Sequence, residues 1–342
     1  VKALAEFTRR IDELPPGHCY DGSRMESYFQ LKENPPLDEP VETIIGELSR
    51  RLAVSVEKRT GSEVMGSWLS GGLDSSTLAA LARPHVRTLH TFAAGLDGAP
   101  DLEYAHEVAR FIGARHHQFI PDLEHMLKVM PEVIYHLESF DALLVRSSIT
   151  NYLAAKLASD YVPEVFSGEG GDELFGGYEY LKALDLAKLP GELIDITGRL
   201  HNTALQRVDR SASAHGTVAH VAFLDPEVVD YAHRIPAEYK IRNGVEKWIL
   251  RRAMEGKLPE QVLNRTKAKF WEGAGVRDHL AQYAEEKITA NDFYREHRLP
   301  NGWILDSKEE LMYYRIFKEH FGELEELSWM GRTKKPPDRE SS

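Results

Sequence analysis

The chain has 342 residues, 42% hydrophobic and 28% charged, an ordinary balance for a water-soluble globular protein with enough apolar residues to fill a large core. Its 42 Lys and Arg stand against 54 Asp and Glu, and the net charge of -12 argues against a broad nucleic-acid surface. The single cysteine excludes an intrachain disulfide and a cysteine-based zinc cluster, no apolar run approaches the roughly 18 residues of a membrane span, and acids with a Pro-Pro pair near the start do not suit a secretory signal, so a cytoplasmic location is expected.

Residues 1–40 read as a linker-like segment punctuated by Pro15-Pro16-Gly17 and Pro35-Pro36. Cys19 lies in that turn-rich stretch with no motif to activate it and reads as an inert thiol. Ile44, Ile45, Leu48, Leu52 and Val56 recur at helical spacing across 41–60. Strand and helix signals then alternate: a strand over 64–69, a helix from Asp74 stopped by Pro84, a strand over 87–93, and a helix capped by Asp101 that ends at Gly113. A strand over 116–120, helices over 127–137 and 147–159 and a strand over 162–166 complete the series. This is an α/β pattern with parallel crossovers, whose ligand loops belong after the strands. Past Phe175 the spacing predicts helices over 193–214, 245–254, 277–287 and 308–321, hence a mostly helical lobe over 176–330 behind a nucleotide sheet unit over 41–175. A polar tail covers 331–342.

The sharpest local signal is Ser70-Gly71-Gly72-Leu73-Asp74-Ser75-Ser76, directly after a strand. Glycines let the backbone approach an anion, the following helix N-terminus offers N–H groups, and the serines add hydroxyl donors. Asp74 alone would repel phosphate, so its presence implies a bridging cation, most simply Mg2+. The Walker spacing and the dinucleotide GxGxxG spacing are both absent. The same residues also suit a plain strand-to-helix turn in which Asp74 caps the helix. A second cluster, Ser167-Gly168-Glu169-Gly170-Gly171-Asp172-Glu173 with Gly176-Gly177-Tyr178, follows a later strand, and the two together could hold Mg2+ between Asp74 and Asp172 beside ATP phosphates. Glu173 reads as a structural carboxylate.

SGGLDSS resembles the signature of the ATP pyrophosphatases, and SGEGGDELFGGY resembles the matching segment of the glutamine-dependent asparagine synthetases. The stretches around YHLESFD, SASAHGTVAHVAFLD, LNRTKAKFWEGAG and SKEELMYYRIFKEHF resemble further landmarks of that synthetase domain, in order, across 41–321. The resemblance implies an adenine-nucleotide hydrolase-like open parallel sheet with a helical C-terminal lobe. It also implies a reaction in which aspartate, Mg2+-ATP and ammonia give asparagine, AMP and pyrophosphate through β-aspartyl-AMP. By the same comparison Leu69 and Phe92 lie beside adenine and ribose. Ser70, Gly71, Gly72, Ser75 and Ser76 cradle phosphate, Asp74 and Asp172 orient magnesium, and Ser167, Gly168 and Glu169 cover the nucleotide and the substrate carboxylate.

Glu138, three residues before Asp141 and eight before Arg146, would share a helical side with Asp141. A carboxylate there can take a proton from an attacking amine, and the resemblance gives Glu138 that role; the residues alone favour a solvated helix-face acid. Lys267 in Arg265-Thr266-Lys267-Ala268-Lys269 matches the family's lysine over the α-phosphate, where a fixed cation stabilises developing charge; Lys269 reads as surface and Arg265 as a support for the loop. Val218, His220 and Ala222 stand where the family carries glutamate, arginine and proline, and Leu143-Leu144 replace a pair of threonines. The lost pair admits either new packing or a remodelled acid pocket. The family's glutaminase domain, with its N-terminal cysteine, has no counterpart in these residues. The expectations are therefore a separate glutaminase subunit, direct use of ammonia or another amine, or a piece of a longer protein. A homo-oligomer, a β-lactam-forming or peptide-cyclising relative, and a non-catalytic nucleotide-binding module also stay open, with no nucleic-acid or membrane partner.

Overall fold

The computed structural model describes residues 14–265, 277–324 and 326–333. Its proline-rich start forms an antiparallel hairpin of β1 (His18–Tyr20) and β2 (Met25–Ser27), which the sequence reading had left as linker. The segment is then tied to the body, since Leu37 is buried and its N–H donates to the Arg234 carbonyl at 2.8 Å. Helix α1 (Val41–Glu57) turns Ile44, Leu48, Leu52 and Val56 fully inward. At about 1.5–3 kcal/mol for each such side chain, this stripe holds α1 in place far more firmly than its capping, because the N-cap is Pro40 with no side-chain bond.

The sheet is built from β3 (Val64–Trp68), β4 (Thr88–Ala94), β5 (Arg115–Phe119), β6 (Glu164–Phe166) and β7 (Val218–His220), in the order β5-β4-β3-β6-β7 and parallel throughout. Side chains alternate across it. Met65 and Leu89 pack with α1, with α2 (Leu73–Ala82) and with α3 (Pro100–Ile112). Trp68 and Phe92 face the other side, against Ala154, Ala155 and Ala158 of α5 (Ala142–Ser159). Coverage on both faces leaves β3 and β4 buried along almost their whole length. A second core joins α4 (Leu123–Leu137) and α5 to α6 (Lys308–Phe321) through Met130, Ile134, Leu311 and Phe317. The strand order and helical lobe are those of the ATP-pyrophosphatase type of α/β fold. Among the described residues no helix is long and apolar enough to cross a membrane.

Four local expectations need correction. Asp101 does not cap α3: Ala99 holds that position with Pro100 behind it, and Asp101 is buried in the first turn opposite Arg265 at 2.5 Å. Burial pushes its carboxyl up to about 6 against the pull of Arg265. Glu138 and Asp141 do not share a helix, because Glu138 ends α4 at φ 53° and Asp141 caps α5 by accepting from the Leu144 N–H at 2.9 Å. The long helix read over 193–214 is two helices, Leu189–Gly198 and Ala204–Ser213, separated by a short 3-10 turn. The sheet also recruits β7 from the part read as helical, so its fifth strand lies beyond Phe175.

Candidate active site

The loop after β3 carries the first group of expected residues. Gly71 adopts φ 68°, and a Cβ there would run into the backbone of Tyr104 and Ala105 on α3, so only glycine fits. Ser70 and Ser75 close the turn on themselves: their hydroxyls are 3.1 Å apart, and the Ser70 N–H donates to Ser75 Oγ at 3.2 Å. Gly72 caps α2 without a side-chain acceptor. The opening N–H groups of α2 therefore point out of the loop, the arrangement that binds anions. Ser76 is fully buried, with a hydroxyl that finds no hydrogen-bond partner among the described residues.

The second loop lies directly on the first. A Cβ on Gly168 would be 2.8 Å from the Ser75 nitrogen, so the Ser167–Glu173 segment presses on the start of α2. Ser167 is buried and joined to β7, its N–H donating to the His220 carbonyl at 2.9 Å. Asp74 and Asp172 are brought together, and the ammonium of Lys247 is ion-paired with both. Burial disfavours the charged form of Lys247, but the two carboxylates more than offset this and raise its pKa above the ordinary lysine value. Glu173, expected to be structural, is buried and accepts from the Tyr178 hydroxyl, while its other oxygen has no hydrogen-bond partner. Burial, reinforced by the charges of Asp172 and Glu169, pushes this carboxyl up to about 7.

Helix Ala204–Ser213 carries two arginines toward this floor. Arg207 pairs with Glu169 and donates to Ser147 Oγ at 2.8 Å, while Arg210 comes within 3.9 Å of Glu138. On the same helix Gln206 donates to the Leu137 carbonyl at 2.5 Å, fixing the end of α4 just before Glu138. Glu138 itself is 5% exposed. Arg146 is turned elsewhere: it binds Glu309 of α6, which also accepts from Tyr313 at 2.6 Å.

The remaining expected residues stand as follows. The Leu69 N–H donates to the Phe92 carbonyl at 2.8 Å, the Phe92 ring stacks on His117, and both side chains are buried. Lys267 lies outside the described residues. Arg265, just before it, is held by Asp101 and stacks over Tyr104 at 4.1 Å, beside the backbone that supports Gly71. His220 hydrogen-bonds Glu164 at 2.8 Å, and Val218 is exposed on the sheet edge.

Three residues of the site went unread in the sequence: Lys247, Arg207 and Arg210. Lys247 was hidden because a helix was read from Val245, whereas the helix is Trp248–Ala253 and Lys247 precedes it at φ 55°. The Asn243-Gly244 pair, both at positive φ, was the turn signal that could have moved that boundary. Arg207 and Arg210 lie inside the span read as one long helix, with no local motif to set them apart.

The residues suit a magnesium nucleotide. Among the described residues no group of three or more His, Cys, Asp or Glu could hold a metal alone, yet two carboxylates meet beside a phosphate-type loop. Mg2+ is commonly held in this way, by one or two carboxylates with phosphate and water completing its shell.

The family model described as asparagine synthase matches residues 47–200 and 187–337. Asparagine synthetase [glutamine-hydrolyzing] 1 of Arabidopsis thaliana is 33% identical over 352 residues, covering 94% of this chain and 59% of the relative. Asparagine synthetase [glutamine-hydrolyzing] of Sandersonia aurantiaca is 35% identical, with 94% and 66% covered. The chain thus spans about three fifths of the length of the relatives it matches. Among solved structures, the NMN synthetase of Francisella tularensis aligns with 85% of this chain and 98% of its own at 13% identity and a TM-score of 0.38, too distant to bear on the site.

Proposed function

Because the chain belongs to the asparagine synthase family, we propose that it activates a carboxylate with ATP as the acyl-adenylate and passes the acyl group to an amine, releasing AMP and pyrophosphate. Aspartate and ammonia are the substrates the resemblance favours. The observation that carries this reading is the contact of the two loops, which brings Asp74 and Asp172 together beside the α2 N-terminus.

In the first step a carboxylate oxygen of the acid attacks the α-phosphorus, the bond to the β-phosphate bridge breaks, and pyrophosphate leaves. The α2 N–H groups, Ser70 and Ser75 hold that leaving group. Magnesium, held by Asp74 and Asp172, would neutralise phosphate charge. In the second step the amine nitrogen attacks the acyl carbon, AMP leaves, and Glu138 takes the amine's proton. Arg210 lies 3.9 Å from Glu138. Lys267 would meet charge at the α-phosphate. In this reading 41–330 is the synthetase unit, 1–40 its connector and 331–342 a tail, working in the cytoplasm.

The test supplies ATP, magnesium and a panel of acids beginning with aspartate, with ammonium or glutamine in parallel. Acid-dependent AMP and pyrophosphate with an amide product by mass are expected with ammonium. Glutamine should fail with these residues alone, because Cys19 is exposed and no hydrogen bond from a base reaches its thiol among the described residues. Nucleotide binding without any acid-dependent pyrophosphate would overturn the enzyme reading. A product with a different acid or amine would move the substrate while keeping the chemistry.

A further inference from the structure

We propose that Lys247 is an internal counter-ion that keeps Asp74 and Asp172 closed to a divalent cation until phosphate oxygens draw the ammonium away, so that metal and nucleotide enter together. This rests on the reading of the two acids as metal ligands given above.

The structure is shaped around this three-way contact. Lys247 is one of only three non-glycine residues at positive φ among those described, and it holds φ 55° although lysine gains nothing there. Such a conformation is disfavoured for a residue with a Cβ and persists where the surroundings impose it. Its side chain is 4% exposed and ends between the two carboxylates. The neighbouring glycines are cleared for the same contact. A Cβ on Gly171 would overlap the Asp74 carboxylate, and one on Gly177 would overlap both Asp172 and the Lys247 Cε.

Charge then sets the order of events. Two carboxylates and one ammonium sum to -1. A divalent cation arriving alone turns this to +1 in a largely buried space beside a helix N-terminus that is itself positive. It must also compete for oxygens that the ammonium already holds. A polyphosphate changes both terms, since its oxygens accept the ammonium and its negative charge offsets the cation. By linkage, metal and nucleotide then favour each other reciprocally.

The experiment titrates the intact chain with Mn2+ alone, without nucleotide, and reads free Mn2+ by electron paramagnetic resonance. Lys247→Met should bind Mn2+ at least 10-fold more tightly than the parent, while Lys247→Arg should stay near the parent. Adding Asp172→Asn to Lys247→Met should abolish the gain. Equal or weaker Mn2+ binding by Lys247→Met would overturn the counter-ion role, and would leave the acids as ligands if Asp172→Asn still weakens Mn2+ binding in the presence of a non-hydrolysable ATP analogue. A gain that survives Asp172→Asn would instead overturn the reading of the acids. Removing the ammonium also leaves two acids facing each other, so Tm is measured with and without Mn2+. The Mn2+-induced rise should be larger in Lys247→Met than in the parent, and equal rises count against the proposal.

Discussion

Replacing Arg207 by Met keeps the aliphatic stem and removes the guanidinium, a clean perturbation of the link between Glu169 and Ser147. The two paired side chains are 12% and 20% exposed, so the pair lies between a surface bridge worth 0–1 kcal/mol and a buried one whose breakage costs about 3–5 kcal/mol. The Ser147 bond at 2.8 Å adds a charged donor to a hydroxyl, roughly another 1 kcal/mol. The expected loss is therefore about 2–4 kcal/mol, most of it the cost of leaving Glu169 uncompensated. Urea unfolding of the parent, Arg207→Met, Glu169→Gln and the double variant measures it directly. The double variant should be less destabilised than the sum of the singles by about 1.5–3 kcal/mol, because Gln needs no counter-charge. Since Gly168 presses on the start of α2, slack in Glu169 should also slow pyrophosphate release by roughly 10-fold, with ATP binding less affected. A single variant within 0.5 kcal/mol of the parent, with additive effects in the cycle, would refute this reasoning.

Lys267→Ala should lower kcat/KM for AMP formation by on the order of 100-fold while ATP affinity changes much less, as expected for a contact made to developing charge; equal kcat/KM in both proteins would remove Lys267 from the mechanism. Lys240 supplies a pH test away from the chemistry. Its buried amine has no ion pair or hydrogen bond among the described residues, and burial lowers its pKa from 10.5 to about 7. The unfolded chain therefore binds one more proton than the folded one between those values, so stability should rise with pH from about 7 toward 10.5. Lys240→Met should raise stability at pH 7 and flatten that rise. Denaturation at pH 7, 8 and 9 checks it, and an unchanged slope in the variant would contradict the assignment.

The strands and the phosphate loop were legible because their causes are local. Buried β3 is a short apolar run followed at once by Ser70-Gly71-Gly72, and period and punctuation agree there. What escaped depends on partners distant in sequence. β7 is three residues, Val218–His220, with its first residue exposed, and becomes a strand only by pairing with β6. Glu138 would share a side with Asp141 only if the stretch were one helix, and nothing in the sequence marks the positive φ that separates α4 from α5. Lys247 looks like any helix-start lysine until Asp74 and Asp172, 173 and 75 positions away by subtraction of residue numbers, meet its ammonium.

The positions where the chain departs from its family can now be weighed by what they touch. Val218 is exposed on the edge strand, His220 is occupied with Glu164, and Ala222 is buried where Ser55 donates to its carbonyl at 2.6 Å. None of the three side chains pairs with Asp74, Asp172, Glu138 or Glu169 among the described contacts. In place of the family's glutamate and arginine the sheet edge thus carries an exposed valine and a histidine paired locally with Glu164. Leu143 and Leu144 are different. They open α5, the helix whose next turn carries Arg146 to Glu309 and Ser147 to Arg207, and Leu144 is buried against the core shared by α4 and α6. Two leucines in place of hydroxyl side chains remove donors from the wall formed by the first turn of α5. If the acid is not aspartate, that wall should be the cause. Leu143→Thr with Leu144→Thr should then shift the acid preference in the panel, whereas Val218→Glu with His220→Arg should leave it unchanged. The opposite pattern would return the specificity to the sheet edge.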